Sequence, residues 1–406
     1  MTHEIASHAP TPDRLFDLEE ALKKTEITHF GPATLASVAC GTRVTNDDLL
    51  YEFKVCTNAS PEEAEAADEL LKATGITVRY ASWEITLTHD EILQRTTKIG
   101  AHLIKSLMKE KGWESVDAVL DTSASLPENI GKKVIEEAGL NTETTASKPY
   151  RVACAGAIAA IVDTLADPEM KDKRVIVLAL EPLSQHVKPS QCGSKDTIPL
   201  PAIFGDDFAT IGFNTDDFEV VGPRTHIIDD GAHIRFDADY SLLPTDETSI
   251  PKHYTFGERG REISSITPNR VLLAIQKPEN GMPSSMYGRG VYNFFVPETI
   301  RVLEDVVERA KRQGINVRQA VMHQPSLKVN QGLKRRATEK HPNLAGLDIP
   351  DFLLGQIKRS NSSSATSLVV WQHLAKEGKL DPNQPLLVCA PGIGSAISAG
   401  VIVPAK

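Results

Sequence analysis

From residue 35 onward, short apolar runs alternate with stretches whose apolar residues recur every three or four positions. That alternation predicts strands layered with helices around buried sheet, an α/β chain. One helix is spelled out in full: Thr88 and Glu91 form a capping box, Ile92, Ile99, Leu103 and Leu107 share one face, and Gly112 marks the stop. A strand follows in DAVLD at 117–121. Pro127 then opens a helix ending near Gly139, and RVIVLAL at 174–180 has the unbroken apolar character of a strand covered on both faces.

The pattern changes twice. Residues 1–34 carry few apolar positions and are interrupted by prolines, which predicts a loosely packed extension. Residues 221–288 are rich in Asp, Pro, Gly and His and show no sustained period apart from RVLLAI at 270–275, so they predict a loop-rich excursion. The layered rhythm then resumes. Pro297 is expected to open a helix through Gly314 with Ile300, Leu303, Val307 and Ala310 inward, followed by the strand VRQAVMHQ, a helix after Asn361, and strands in PLLVCAP and SAGVIV. The chain thus divides into an extension (1–34), an N-terminal half (35–220), the excursion (221–288) and a similar C-terminal half (289–406).

Composition narrows the function classes. With 406 residues, 41% of them hydrophobic, the chain can bury a large core. Its net charge of −10 is spread along the sequence, which argues against nucleic acid or an anionic membrane as partner and requires any basic docking site to be local. There is no basic leader followed by an apolar run, and no apolar stretch of membrane-spanning length, so the expectation is a cytoplasmic protein. The cysteines Cys40, Cys56, Cys154, Cys192 and Cys389 are scattered without metal-ligand spacing, which argues against a disulfide framework and against a metal site.

Candidate chemistry starts at YRVACAGAIAAIVDTLAD, where Cys154 stands at the junction of a strand-like run and an Ala-rich helix. A thiol at a helix N-terminus is drawn toward thiolate by the helix dipole, and the small neighbours Ala155 and Gly156 let a thioester approach. A buried structural cysteine has the same local pattern. His323 in VMHQPSLKV lies just past an apolar strand, and Asn361 in RSNSSSATSLVVWQHL lies in a small-residue turn heading a helix. Each has a plain structural alternative, a hydrogen-bonded imidazole and an N-cap, and only their joint occurrence with Cys154 points to a site.

The three segments ACAGA, HQPSLKV and NSSSAT occur in the order and approximate spacing of ketoacyl synthase III enzymes. The chain resembles that branch of the thiolase superfamily from about residue 35 to 406. VTNDDL, ATGITVR, DTSASLP, IFGDDFAT and GKLDPNQPLLVCAPGIG support the likeness. The resemblance implies the thiolase fold, a duplicated five-layer αβαβα arrangement that forms a homodimer, and an acyltransferase of the condensing kind. Cys154 would carry the acyl group as a thioester. His323 and Asn361 would donate hydrogen bonds to the thioester oxygen of a malonyl-type extender. A second oxyanion hole would use backbone N–H groups of Cys154 and of Ile393 or Gly394, and Lys328, Arg335 and Arg336 would dock acyl carrier protein. No cofactor is implied, since acyl carrier protein or acyl-CoA thioesters are substrates. Cys389 is expected to be a strand-core residue.

Two departures matter. Where the family grips the adenine of coenzyme A with Trp and Arg, this chain has Glu69 and Ala73, and the GDGAGA-type element reads GDDFAT. The likeness therefore implies a specialised metabolic role rather than ordinary acetyl-CoA priming, and Asp207 and Phe208 are expected at the dimer contact or acyl pocket. A same-fold acyltransferase that moves the acyl group from Cys154 to a hydroxyl or amine is the alternative.

Overall fold

The computed structural model describes residues 17–82, 88–123, 125–127, 129–187, 199–227, 288–392 and 396–405, with five two-residue strands between 234 and 286. Two sheets form its frame. The first contains β1 (Glu26–Phe30), β2 (Ala33–Val38), β5 (Ala118–Asp121), β6 (Ala146–Pro149), β7 (Arg174–Pro182) and β8 (Asp206–Asn214), in the order β1-β2-β8-β7-β5-β6. A small hairpin, β3 (Thr42–Thr45) with β4 (Val78–Ala81), stands beside it. The second sheet contains β9 (Phe218–Ile227), β10 (Gln319–Met322), β11 (Leu386–Gly392) and β12 (Ala396–Pro404), in the order β10-β11-β12-β9.

Helices α6 (Gly156–Ala166) and α10 (Ser364–Lys376) touch both sheets and form the middle layer. The helices α4 (His89–Lys111) and α5 (Ile130–Glu137) cover the outer face of the first sheet, and α8 (Gly288–Arg312) with α9 (Leu327–Lys340) covers the second. This is the expected αβαβα order. Around it lie α1 (Leu18–Leu22), α2 (Asn46–Thr57), α3 (Pro61–Thr74) and α7 (Pro199–Ile203). The duplication is visible in the connections: each middle helix is followed by two antiparallel strands, β7–β8 after α6 and β11–β12 after α10. Burial explains why the middle layer reads as apolar all round: α6 is buried at every position from Gly156 to Val162 and α10 from Ser364 to Gln372.

The boundaries shift in three places. The sheet begins at Glu26, inside the stretch expected to be an extension, because β1 is an edge strand whose first four residues are not buried and so carry no apolar alternation. The strand β9 straddles the expected boundary at 220 and belongs to the second sheet. Pro297 lies inside α8 rather than opening it: Phe295 and Val296 are buried in the outer core, and that packing extends the helix back to Gly288 despite the missing N–H. The rest of the excursion lies mostly outside the described residues.

Candidate active site

The turn that carries Cys154 is built under strain. Ala153–Ala155 form a single 3-10 turn that runs directly into α6, and Ala153 holds φ at +47°, a left-handed conformation that costs a non-glycine residue about 1–3 kcal/mol. Cys154 is 1% exposed. Its turn is tied from below by Arg151, which donates to the backbone oxygens of Asp121 and Pro127, both at 3.1 Å, and pairs with the buried Asp121 carboxylate. Close packing excludes larger neighbours: a Cβ on Gly156 would sit 3.1 Å from Thr122, and one on Gly392 would sit 2.4 Å from the Val152 oxygen and 2.8 Å from the Ala155 nitrogen. Gly392 therefore presses its backbone against the turn. Ile393 and Gly394 themselves lie outside the described residues.

His323 comes directly after β10, which pairs with β11 so that Met322 faces Cys389. Its backbone N–H donates to the Cys389 oxygen at 2.9 Å. The strand β11 in turn packs against the Cys154 turn, which places the end of β10 one strand away from it. Complete burial pushes the imidazole pKa down to about 3, so the ring is neutral at any physiological pH and carries one N–H to donate. Its Nδ1 has no hydrogen-bond partner among the described residues.

Asn361 is stitched into place by backbone bonds. Its N–H donates to Ile203 O at 3.0 Å, its carbonyl accepts from Gly205 N at 3.2 Å, and it forms a parallel bridge with Phe204, which packs in the same cluster as Cys154. Gly205 is required here, since a Cβ would meet Ser360 Oγ at 2.3 Å and the Tyr80 oxygen at 2.8 Å. The side-chain amide has a defined orientation: Oδ1 accepts from Ser363 N at 2.9 Å and from Thr366 Oγ1 at 3.3 Å. A backbone N–H can only donate, so the Nδ2 hydrogens point the other way, toward Pro325 O at 3.4 Å and the loop that begins at His323. Ser363, at φ +47°, is the second strained non-glycine residue at the site.

The other expected residues sit in varied surroundings. Cys389 is a fully buried strand residue whose thiol burial pushes far up. Cys192 lies outside the described residues. Lys328 and Arg335 are exposed on α9, and Arg336 is half-buried there. Glu69 and Ala73 are exposed on α3, which packs against α9 and carries Glu62, Glu63 and Glu65 exposed as well. Asp207 and Phe208 are both buried in the core of the chain. Asp207 pairs with Arg359, and Phe208 packs under α4. Ala153, Gly205, Ser363 and Thr366 shape the site without a signal of their own in the sequence; three of them lie within the GDDFAT and NSSSAT segments.

No helix among the described residues is long and apolar enough to cross a membrane, and no group of three His, Cys, Asp or Glu residues among them is placed to hold a metal ion. No family profile matches the chain, and no curated protein sequence does. Solved structures do match. 3-Oxoacyl-[acyl-carrier-protein] synthase III from Aquifex aeolicus is 17% identical with a TM-score of 0.58, over 93% of this chain and 99% of that one. 1,3,6,8-Tetrahydroxynaphthalene synthase from Streptomyces coelicolor, a type III polyketide synthase, is 16% identical with a TM-score of 0.62, over 92% and 98%. OleA from Xanthomonas campestris is 14% identical with a TM-score of 0.60, over 93% and 98%. Each likeness extends over more than nine-tenths of both chains, and the protein has the thiolase fold of these structures.

Proposed function

We propose that the chain is a ketoacyl synthase III-like condensing enzyme that joins two acyl thioesters through an acyl-Cys154 intermediate, in specialised metabolism. The observation that supports this is that the elements carrying the three residues pack on one another, the Cys154 turn against β11 and α10 and α10 against β10, with a thiol at the head of α6, a neutral buried imidazole, and an amide whose N–H hydrogens are aimed at the imidazole's loop. Neutral donors suit a developing oxyanion, because they stabilise it by hydrogen bonding without giving up their protons to it.

In the first step the Cys154 thiolate attacks the first thioester carbonyl, backbone N–H groups hold the tetrahedral oxyanion, and its collapse expels the carrier as a thiolate, which takes up the proton that Cys154 gave up. A malonyl-type extender then loses carbon dioxide, and the electron pair released becomes an enolate whose oxygen accepts from His323 and Asn361. The enolate carbon attacks the acyl-Cys154 carbonyl, the new carbon-carbon bond forms, and the thiolate departs to be reused. Acyl carrier protein is the proposed carrier, docked by Lys328, Arg335 and Arg336 on α9; the acidic, exposed face of α3 disfavours coenzyme A as the alternative. A cytoplasmic homodimer belongs to the same proposal, and β6, with all four residues exposed at the rim of the first sheet, offers backbone groups for pairing.

The test is the mass of intact protein after incubation with a panel of acyl thioesters, followed by carbon dioxide release from a malonyl-type thioester. An acyl adduct with release supports condensation. An adduct without release, and an ester or amide formed on added alcohols or amines, favours the acyltransferase.

A further inference from the structure

Asn361 lies in a turn whose two flanks are each held by a buried carboxylate, and the two carboxylates are neighbours. Glu181 on β7 and Asp207 on β8 are direct cross-strand partners, 0% and 1% exposed. Opposite residues of an antiparallel pair project from the same face. Here that face is the one on which Ala179 and Ala209, the next inward pair along the strands, pack in the middle-layer core with α10. Upstream of Asn361, Arg359 Nη1 lies 3.3 Å from Asp207 Oδ1, with its guanidinium over the Tyr80 ring at 5.6 Å and its Nη2 3.8 Å from Glu26. Downstream, Ser364 donates to Glu181 Oε1 from its hydroxyl at 2.6 Å and from its backbone N–H at 3.3 Å. Ser364 is the first residue of α10, and the Ser363 cap makes no side-chain hydrogen bond. The Glu181 carboxylate therefore takes over the capping of that helix end, where an anion also complements the dipole.

Like charges placed opposite each other weaken a sheet, and burying carboxylates is costly even when they are bonded. A core serving only stability would repeat the Ala179 and Ala209 pair. We infer that Glu181 and Asp207 are positioning residues that set the Asn361 amide by gripping the chain on both sides of it, through Ser364 and Arg359. The inference rests on the condensation reading, in which Asn361 must stand at hydrogen-bond distance from an enolate oxygen. Displacing such a group by 1 Å costs roughly a hundredfold in rate.

Two readouts on the full chain test it: loading of Cys154 by intact mass, and carbon dioxide release from a malonyl-type thioester. Glu181→Ala and Arg359→Met should lower release by about tenfold to a hundredfold while loading stays within about threefold of wild type. Glu181→Gln keeps an acceptor for Ser364 and Arg359→Lys keeps a cation for Asp207, so both should recover most of the loss. Because the effect runs through one amide, adding Glu181→Ala to Asn361→Ala should cost little more than Asn361→Ala alone. Should Glu181→Ala fail to fold, Arg359→Met carries the same comparison, since Arg359 borders an open cleft of about 380 Å³ and its replacement leaves the strands filled. Parallel loss of loading and release, with effects that add to those of Asn361→Ala, would overturn the positioning role alone. No carbon dioxide release from wild type would overturn the condensation reading and this role with it.

Discussion

Replacing Asn361 separates loading of Cys154 from the decarboxylation and carbon-carbon bond formation that use the loaded enzyme. Asn361→Ala removes one of two proposed donors at the enolate oxygen, and loss of such a donor costs about 2.7–4 kcal/mol, roughly a hundredfold to a thousandfold in rate. The same change leaves the buried Ser363 N–H without its 2.9 Å acceptor, which lowers stability by about 1–3 kcal/mol. Asn361→Asp isolates the first effect. It keeps an oxygen for Ser363 N and Thr366 Oγ1, so the turn survives, but it puts a carboxylate oxygen where the N–H donors were, facing Pro325 O and the substrate oxyanion. Both variants should still show the mass of an acyl-enzyme, because loading depends on backbone donors at the Cys154 turn. Both should release carbon dioxide from a malonyl-type thioester at least a hundredfold more slowly than wild type, with Asp no better than Ala. The assay is a coupled measurement of carbon dioxide with intact mass taken on the same samples. Near-normal release from Asn361→Asp would refute the donor role and favour acyl transfer with His323 as general base.

Other outcomes are equally definite. Peptide mapping of trapped acyl-enzyme should place the label on Cys154 alone, because it alone stands in a turn at the head of a helix with small neighbours on both sides; label on Cys389 would favour thiolase-like chemistry. Charge reversal at Arg335 and Arg336 should slow acylation from carrier-protein thioesters at low salt, with the difference shrinking as ionic strength rises toward 1 M, where screening reaches about 3 Å; equal, unaffected rates with carrier and coenzyme A donors would exclude docking on α9. Burial raises the pKa of Asp206 to about 7 and of Asp207 to about 6, so both favour the fold below pH 4 and lose that contribution as pH rises through 6 to 7. His323, held near 3, works oppositely, contributing above about pH 6.5 and losing that as pH falls. Asp206→Asn should therefore flatten the decline of Tm between pH 5 and 8, and a wild-type slope would count against the buried acid as its source.

The layered architecture was legible because each layer writes its own period. The capping box at Thr88 and the inward face of α4 appear in the structure where the sequence put them, and the unbroken run at 174–180 became a strand buried on both faces, since caps and periodicity are local physics. Cys154, His323 and Asn361 were legible as types at turns beside apolar elements. The packing of their elements was not, because 169 and 38 residues separate them along the chain and only the pairing of β10 with β11 and the contacts of the Cys154 turn with β11 and α10 bring those elements together. Edge strand β1 was hidden by its solvent-facing side chains, and the helix turns before Pro297 by a local rule that burial of Phe295 and Val296 overrode. Asp207 shows the same division most clearly. In sequence it was a charge intruding on a glycine-rich element; opposite Glu181 and against Arg359 it holds the turn beside Asn361, a role created by register between strands and by contacts across 152 residues, which no local pattern encodes.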